Sequence, residues 1–129
     1  MKLRIHADSL RLRLSRSEVE RLQQTGICTE SLRFGAGSQL DYSLEVSSRI
    51  KVAEASYSNN CIRVLLPLDI ATPWAASSEV SLSITHRNGD TPSVLIEKDF
   101  QCLHHDQENS TGSDMFPNPA AGNEAEKIT

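Results

Sequence analysis

Aromatic residues are few: three Phe, two Tyr and one Trp in 129 positions. So small a set, with most members at core-like positions, builds no stacking platform for nucleic-acid bases. A net charge of −4 argues against binding a phosphate backbone as well. Cysteine is also scarce. Cys28, Cys61 and Cys102 are an odd, widely spaced set without a Cys-x-x-Cys. That excludes a disulfide scaffold and fits a reducing cytoplasm in which the thiols act as small apolar groups. The six glycines make no phosphate cradle, because Gly35-Ala36-Gly37 lacks a third glycine and a following helix. Apolar runs last only a few residues, too short to span a bilayer. The opening MKLRIHADSLRLRL alternates apolar and basic residues and has no continuous apolar segment of the kind an export signal needs.

What is present is a globular composition, 38% hydrophobic and 23% charged, in a chain long enough for one domain with a real core. Its organising stretch is Ser9–Phe34, which reads strand, helix, strand and recurs 52 positions later as Cys61–His86. Identity is almost nil, but apolar positions register: Leu10 on Ile62, Leu12 on Val64, Leu14 on Leu66, Leu22 on Trp74, Cys28 on Val80 and Leu32 on Ile84. Ile5 on Tyr57, Tyr42 on Val94 and Leu44 on Ile96 extend the match. Each half reads strand-strand-helix-strand-strand, and one copy alone buries its faces poorly. The expected fold is therefore α+β: two ββαββ pseudo-repeats, 1–50 and 51–102, related by a pseudo-twofold. They close into an antiparallel barrel or sandwich with two short helices.

Local signals place the elements. Lys2–His6 and Ser9–Leu14 alternate and flank Ala7-Asp8, a two-residue turn in which Ala is a poor fit to positive φ. This turn pairs Ile5 with Leu10 and Leu3 with Leu12. It also sets Arg4 against Arg11 and Lys2 against Arg13, so acidic residues are needed nearby, and Asp41 and Glu45 are candidates. Ser15-x-x-Glu18 and Ser17-x-x-Glu20 both have capping-box form, and Gly26 is a natural helix stop. Cys28–Phe34 and Leu40–Val46 read as strands. Asn59-Asn60 is a good type I′ turn between Ala53–Ser58 and Cys61–Leu66. Asp69 is a candidate cap for a short helix through Trp74, with Pro73 delaying its start or kinking it. Val80–Ile84, the Asn88-Gly89 turn and Ser93–Phe100 complete the second half. Leu65 and Leu95 fall on outer faces, which implies that those faces are covered by a helix, the tail or a partner chain.

The residues MKLRI, LRLRLSRSEV, RFG, VLIEKDFQCL and FPNP resemble a family of small bacterial proteins of unknown function, from Met1 to about Pro119. The resemblance brings no activity with it. It implies a stand-alone bacterial cytoplasmic protein, and that Phe116-Pro117-Asn118-Pro119 belongs to the folded unit. Composition alone reads 103–129 as a largely flexible acidic tail, with Asp106, Glu108, Asp114, Glu124 and Glu126 against Lys127. Within it, Met115–Pro119 is an apolar patch suited to docking on its own domain or on another protein.

Charge is unevenly spread: residues 1–52 carry +3 and residues 53–129 carry −7. A basic half and an acidic half suggest attraction between the halves or between two copies. The sharpest functional hint is the basic quartet Lys2, Arg4, Arg11 and Arg13. Inside a barrel it would bind a phosphorylated small molecule, an analogy to triphosphate-tunnel enzymes at the level of fold only. Outside, it would meet acidic residues of its own chain or of a partner, and the leucines that must bury favour this. Cys102, His104 and His105 make the only compact metal-like cluster, without the second ligand pair that zinc requires. Cys28 and Cys61 are read as inward, inert thiols, and Glu97-Lys98-Asp99 as cross-strand ion pairs. No cofactor, nucleic acid or membrane partner is expected. The expected function is a non-enzymatic interaction module, a homodimer or a protein-partner binder, with Leu65, Leu95, Phe116 and Pro117 as docking candidates. The alternative is an anion-binding barrel acting on or sensing phosphorylated small molecules.

Overall fold

The computed structural model describes residues 1–84 and 91–99. The Asn88-Gly89 turn, Cys102, His104, His105, Phe116 and Pro117, together with the expected tail, lie outside these residues. Within them the order is β1 (Lys2–His6), β2 (Ser9–Leu14), α1 (Arg16–Thr25), β3 (Ile27–Arg33), β4 (Gln39–Ser47), β5 (Glu54–Ser58), β6 (Cys61–Pro67), α2 (Leu68–Ala76), β7 (Ser81–Ile84) and β8 (Ser93–Lys98). The fold is α+β, with two ββαββ units in succession.

The hairpins form as their alternation and turns dictate. β1 pairs with β2 with Ile5 opposite Leu10 and Arg4 opposite Arg11, around an Ala7 forced to φ +48. β5 pairs with β6 with Tyr57 opposite Ile62, around Asn59 and Asn60 at φ +50 and +58, the type I′ requirement. α1 starts on a complete capping box: Ser15 Oγ accepts from Glu18 N at 3.3 Å, and Ser15 N donates to Glu18 Oε1 at 2.8 Å. It stops on Gly26, whose φ of +80 suits glycine and whose N–H reaches Leu22 O at 2.9 Å. Ser17 is inside this helix, so its pairing with Glu20 is no cap.

The two units do not keep to themselves. The first sheet runs β1-β2-β8-β7 and the second β3-β4-β6-β5, so each combines a hairpin from one unit with a hairpin from the other. Where they join, β2 lies parallel to β8 and β4 parallel to β6. The expected all-antiparallel sheet is thus corrected: both sheets are mixed, and they form a sandwich rather than a closed barrel. The registers match under the shift of 52, since Ser9↔Ser93 in one sheet corresponds to Cys61↔Asp41 in the other. Even the bond from Ser93 N to Asp8 O (3.0 Å) has its counterpart from Asp41 N to Asn60 O (2.9 Å).

One stretch departs from that shift. Cys28 pairs with Leu44, and Leu82 pairs with Ile96, so Leu82 rather than Val80 corresponds to Cys28. Likewise Ile84 matches Glu30, not Leu32. The cause is the end of α2. α1 turns on its glycine straight into β3, whereas α2 ends on an extended Ser77 and its strand starts at Ser81, two positions later than the shift of 52 from Ile27 would place it. In place of a glycine, Lys98 Nζ donates to Trp74 O (2.6 Å) and Ser77 O (2.7 Å) and sits 4.9 Å from the centre of the Trp74 ring. The start of α2 also differs from expectation. Its N-cap is Pro67, with no side-chain cap bond, while Asp69 sits in the first turn, where a carboxylate suits the helix dipole. Pro73 lies inside the helix.

The core fills the space between the sheets. Leu12, Leu14, Leu44, Val64, Leu66, Val94 and Ile96 are almost wholly buried, and α1 and α2 add Val19, Leu22, Ala71 and Trp74 from one end. Both helices bury their apolar stripes here, and Leu65 and Leu95 stay half-exposed on the outer faces. No helix therefore provides the second cover expected for those leucines.

Candidate functional site

Strand parity decides where the quartet goes. Leu10, Leu12 and Leu14 point inward, so Arg11 and Arg13 point outward, and antiparallel pairing puts Arg4 and Lys2 beside them. The four cations share the outer face of the first sheet with His6, Ser9, Leu95 and Glu97. This face is an open surface, so the quartet does not line the inside of a barrel.

Its counter-charges come from β8, the strand brought in from the other unit. Glu97 stands beside Arg13 in the parallel register, with its Oε1 3.3 Å from Arg11 Nε and 3.7 Å from Arg13 Nη2. That oxygen is buried without a hydrogen bond of good geometry, so the two guanidinium charges are what stabilise it. Asp99 Oδ2 lies 3.7 Å from the exposed Lys2 Nζ, a contact worth little in water. Arg4 has no carboxylate within ion-pair distance among the described residues. Asp41 and Glu45 do not serve this face, which corrects the sequence expectation. They lie on the second sheet, where Glu45 Oε2 holds Arg63 Nε at 2.7 Å and Asp41 accepts from Ser31 Oγ and Gln39 Nε2 at 2.7 Å each.

Interleaving also redistributes charge. The strands of the first sheet carry Lys2, Arg4, Arg11, Arg13 and Lys98 against Glu97 alone. Those of the second carry Arg33 and Arg63 against Glu30, Asp41, Glu45 and Glu54. The polarity seen between the halves of the sequence becomes a polarity between sheets. Sequence reasoning identified the quartet and the ion pairing of Glu97 and Asp99, but it missed which cations those acids would meet, and Lys98, expected to share in that pairing, donates to the Trp74 and Ser77 carbonyls instead.

The remaining candidates are quieter. Cys28 is buried, its Sγ donates to Glu18 O at 3.2 Å, and burial pushes its thiol up. Cys61 is half-buried on the outward parity of β6, since Ile62, Val64 and Leu66 take the inward one; its expected inward place is corrected. Burial, and after it the Glu30 charge, raises the Tyr42 phenol, which donates to Met1 O at 3.0 Å. The Met1 ammonium is held by Glu18, with Glu30 3.5 Å away. Two clefts of about 590 and 480 Å³ flank the helix–helix contact; the polar groups of the larger include Lys98, engaged with α2, and Arg16, 3.7 Å from Glu20. No group of three His, Cys, Asp or Glu side chains suited to a metal occurs among the described residues. No described helix is long and apolar enough to cross a membrane.

Comparison with known proteins gives one finding. A family model, described as a family of unknown function (DUF7009), matches residues 1–120. The chain belongs to this family. The match takes in the FPNP motif and stops short of the last nine residues. No curated protein and no solved structure matches the chain.

Proposed function

We propose that this protein is a non-enzymatic interaction module whose contact surface is the basic outer face of the first sheet, and that its partner presents an acidic protein surface. The observation that carries this reading is the charge of that face: four clustered cations, with Glu97 and Asp99 as their only ion-pair partners among the described residues. A flat face of this kind suits an extended acidic segment better than an enclosed phosphate ester. Arg4 and Arg11 stand side by side at its centre, and the half-exposed Leu95 lies next to Arg11. A second copy would meet this face through the outer face of the second sheet, where Asp41, Glu45 and Glu54 lie, because two basic faces repel. Such head-to-tail contact does not close as a simple dimer. The free thiols of Cys28 and Cys61 support a reducing compartment, the cytoplasm, as its place of work.

The test is fluorescence anisotropy with a labelled polyglutamate peptide at 50 and 300 mM NaCl, with inorganic triphosphate as competitor. The expected result is binding that weakens with salt and is lost in Arg4→Glu/Arg11→Glu. Absence of peptide binding at 50 mM, or equal binding by that variant, would overturn the reading. Saturable binding of triphosphate without binding of the peptide would overturn it in favour of a small phosphorylated ligand.

A further inference from the structure

We infer that the acidic surface this face meets is the outer face of the second sheet of another copy, so that copies stack head to tail in an open, reversible series. The inference rests on the reading of the basic face as a contact surface and names its partner.

Three observations carry it. The first is where opposite charges stand without partners. On the outer face of the first sheet, Arg4 is exposed and has no carboxylate within ion-pair distance among the described residues. On the outer face of the second, Glu54 is exposed and has no cation within that distance among the described residues. Both stand on edge strands, β1 and β5. The second observation is the setting of two half-exposed leucines. Leu95 lies beside Arg11, which stands next to Arg4. Leu65 lies between Glu45 and Glu54. Seating Leu65 on Leu95 buries both, and it sets Glu54, one strand from Leu65, against Arg11, one strand from Leu95. Glu45 keeps its bond to Arg63, 2.7 Å away, so Glu54 is the main partner of the two arginines. Two basic faces could not meet in this way, since arginine would oppose arginine. The third observation is shape. Under the shift of 52 the order β1-β2-β8-β7 becomes β5-β6-β4-β3, which is the second sheet. The two outer faces therefore share outline and twist, and one copy's second sheet can seat on the next copy's first. A face four strands wide and six residues long offers roughly 400 Å², half of what a standard interface contributes per partner, so the contact is weak and reversible.

The experiment is sedimentation equilibrium of the full chain from about 10 µM to about 1 mM, the range a contact of this size requires, at low and high salt. At 50 mM NaCl the average mass should rise steadily with concentration and pass the dimer without levelling off, as an open head-to-tail contact demands. At 300 mM NaCl the association should weaken about tenfold. Arg4→Glu/Arg11→Glu and Glu45→Lys/Glu54→Lys should each weaken it about tenfold or more, because each sets like charges against each other. Mixed one to one, the two variants should associate again, since the first keeps the native acidic face and the second the native basic one. Circular dichroism reports that each is folded, and Glu54→Lys alone, at an exposed position without an ion pair, decides the matter where the double change disturbs the fold. A monomer at every concentration, a mass that levels off at the dimer, or unchanged association in the folded Glu54→Lys variants would each overturn the inference. If the monomer still binds the polyglutamate peptide and Arg4→Glu/Arg11→Glu abolishes that binding, the contact face stands and only its partner falls. If neither the peptide nor a second copy is bound, both readings fall together.

Discussion

Replacing Glu97 with Gln removes one charge and almost nothing else. The side chain keeps its volume, and its buried Oε1 accepts no well-formed hydrogen bond that an amide would lose. What disappears is the attraction to Arg11 and Arg13 at 3.3 and 3.7 Å. The Arg11 and Arg13 side chains are 42% and 36% exposed, so solvent screening keeps each contact to roughly 0.5 kcal/mol and the pair to about 1 kcal/mol. For a domain of this size that is a fall in Tm of about 4 °C. The same change should strengthen binding of the polyglutamate peptide, because it removes the carboxylate set among the cations. Stability and binding thus move in opposite directions, which simple misfolding does not produce. Thermal unfolding by circular dichroism at 50 mM and 1 M NaCl, with the anisotropy titration alongside, reads both. The loss should shrink at high salt, where the screening length falls to about 3 Å, and should largely vanish when Arg11 and Arg13 are already Gln. A salt-independent loss of the same size in the Arg11→Gln/Arg13→Gln background would refute the ion-pair account.

Other outcomes follow from single sites. Burial raises the Cys28 thiol, so the unfolded chain releases this proton first and stability should fall as pH rises above the unfolded thiol value of about 8.5; urea midpoints at pH 7.5 and 9.5 should separate more in the wild type than in Cys28→Ala, and an equal separation would remove Cys28 as the cause. Ala7→Gly should raise stability by about 0.5 kcal/mol, because φ +48 costs an alanine more than the added chain entropy costs a glycine; a lower urea midpoint would contradict this. Lys98→Met should cost about 1–2 kcal/mol by leaving Trp74 O and Ser77 O without their charged donor, with Lys98→Arg recovering part of it; calorimetry of the two variants checks the order.

Legibility in the sequence followed the range of the interaction. The period-two runs at Lys2–Leu14 and Glu54–Pro67, with Ala7-Asp8 and Asn59-Asn60 between them, specified hairpins whose residue pairs appear in the structure as read. The Ser15–Glu18 box and Gly26 set both ends of α1. The quartet's outward position followed from leucines that had to bury. The two-residue offset after α2 was hidden, because nothing local shows that a lysine 22 residues beyond Ala76 will finish that helix.

By itself, then, the sequence determined the hairpins, the helices, the inward faces and the cluster of cations, since each depends on neighbours a few residues apart. Tertiary structure alone decided which hairpins share a sheet, the parallel joints of β2 with β8 and of β4 with β6, and the meeting of Glu97 with Arg11 and Arg13. Those choices rest on how two apolar surfaces close over a common interior, and local alternation reads the same whichever distant strand becomes the neighbour.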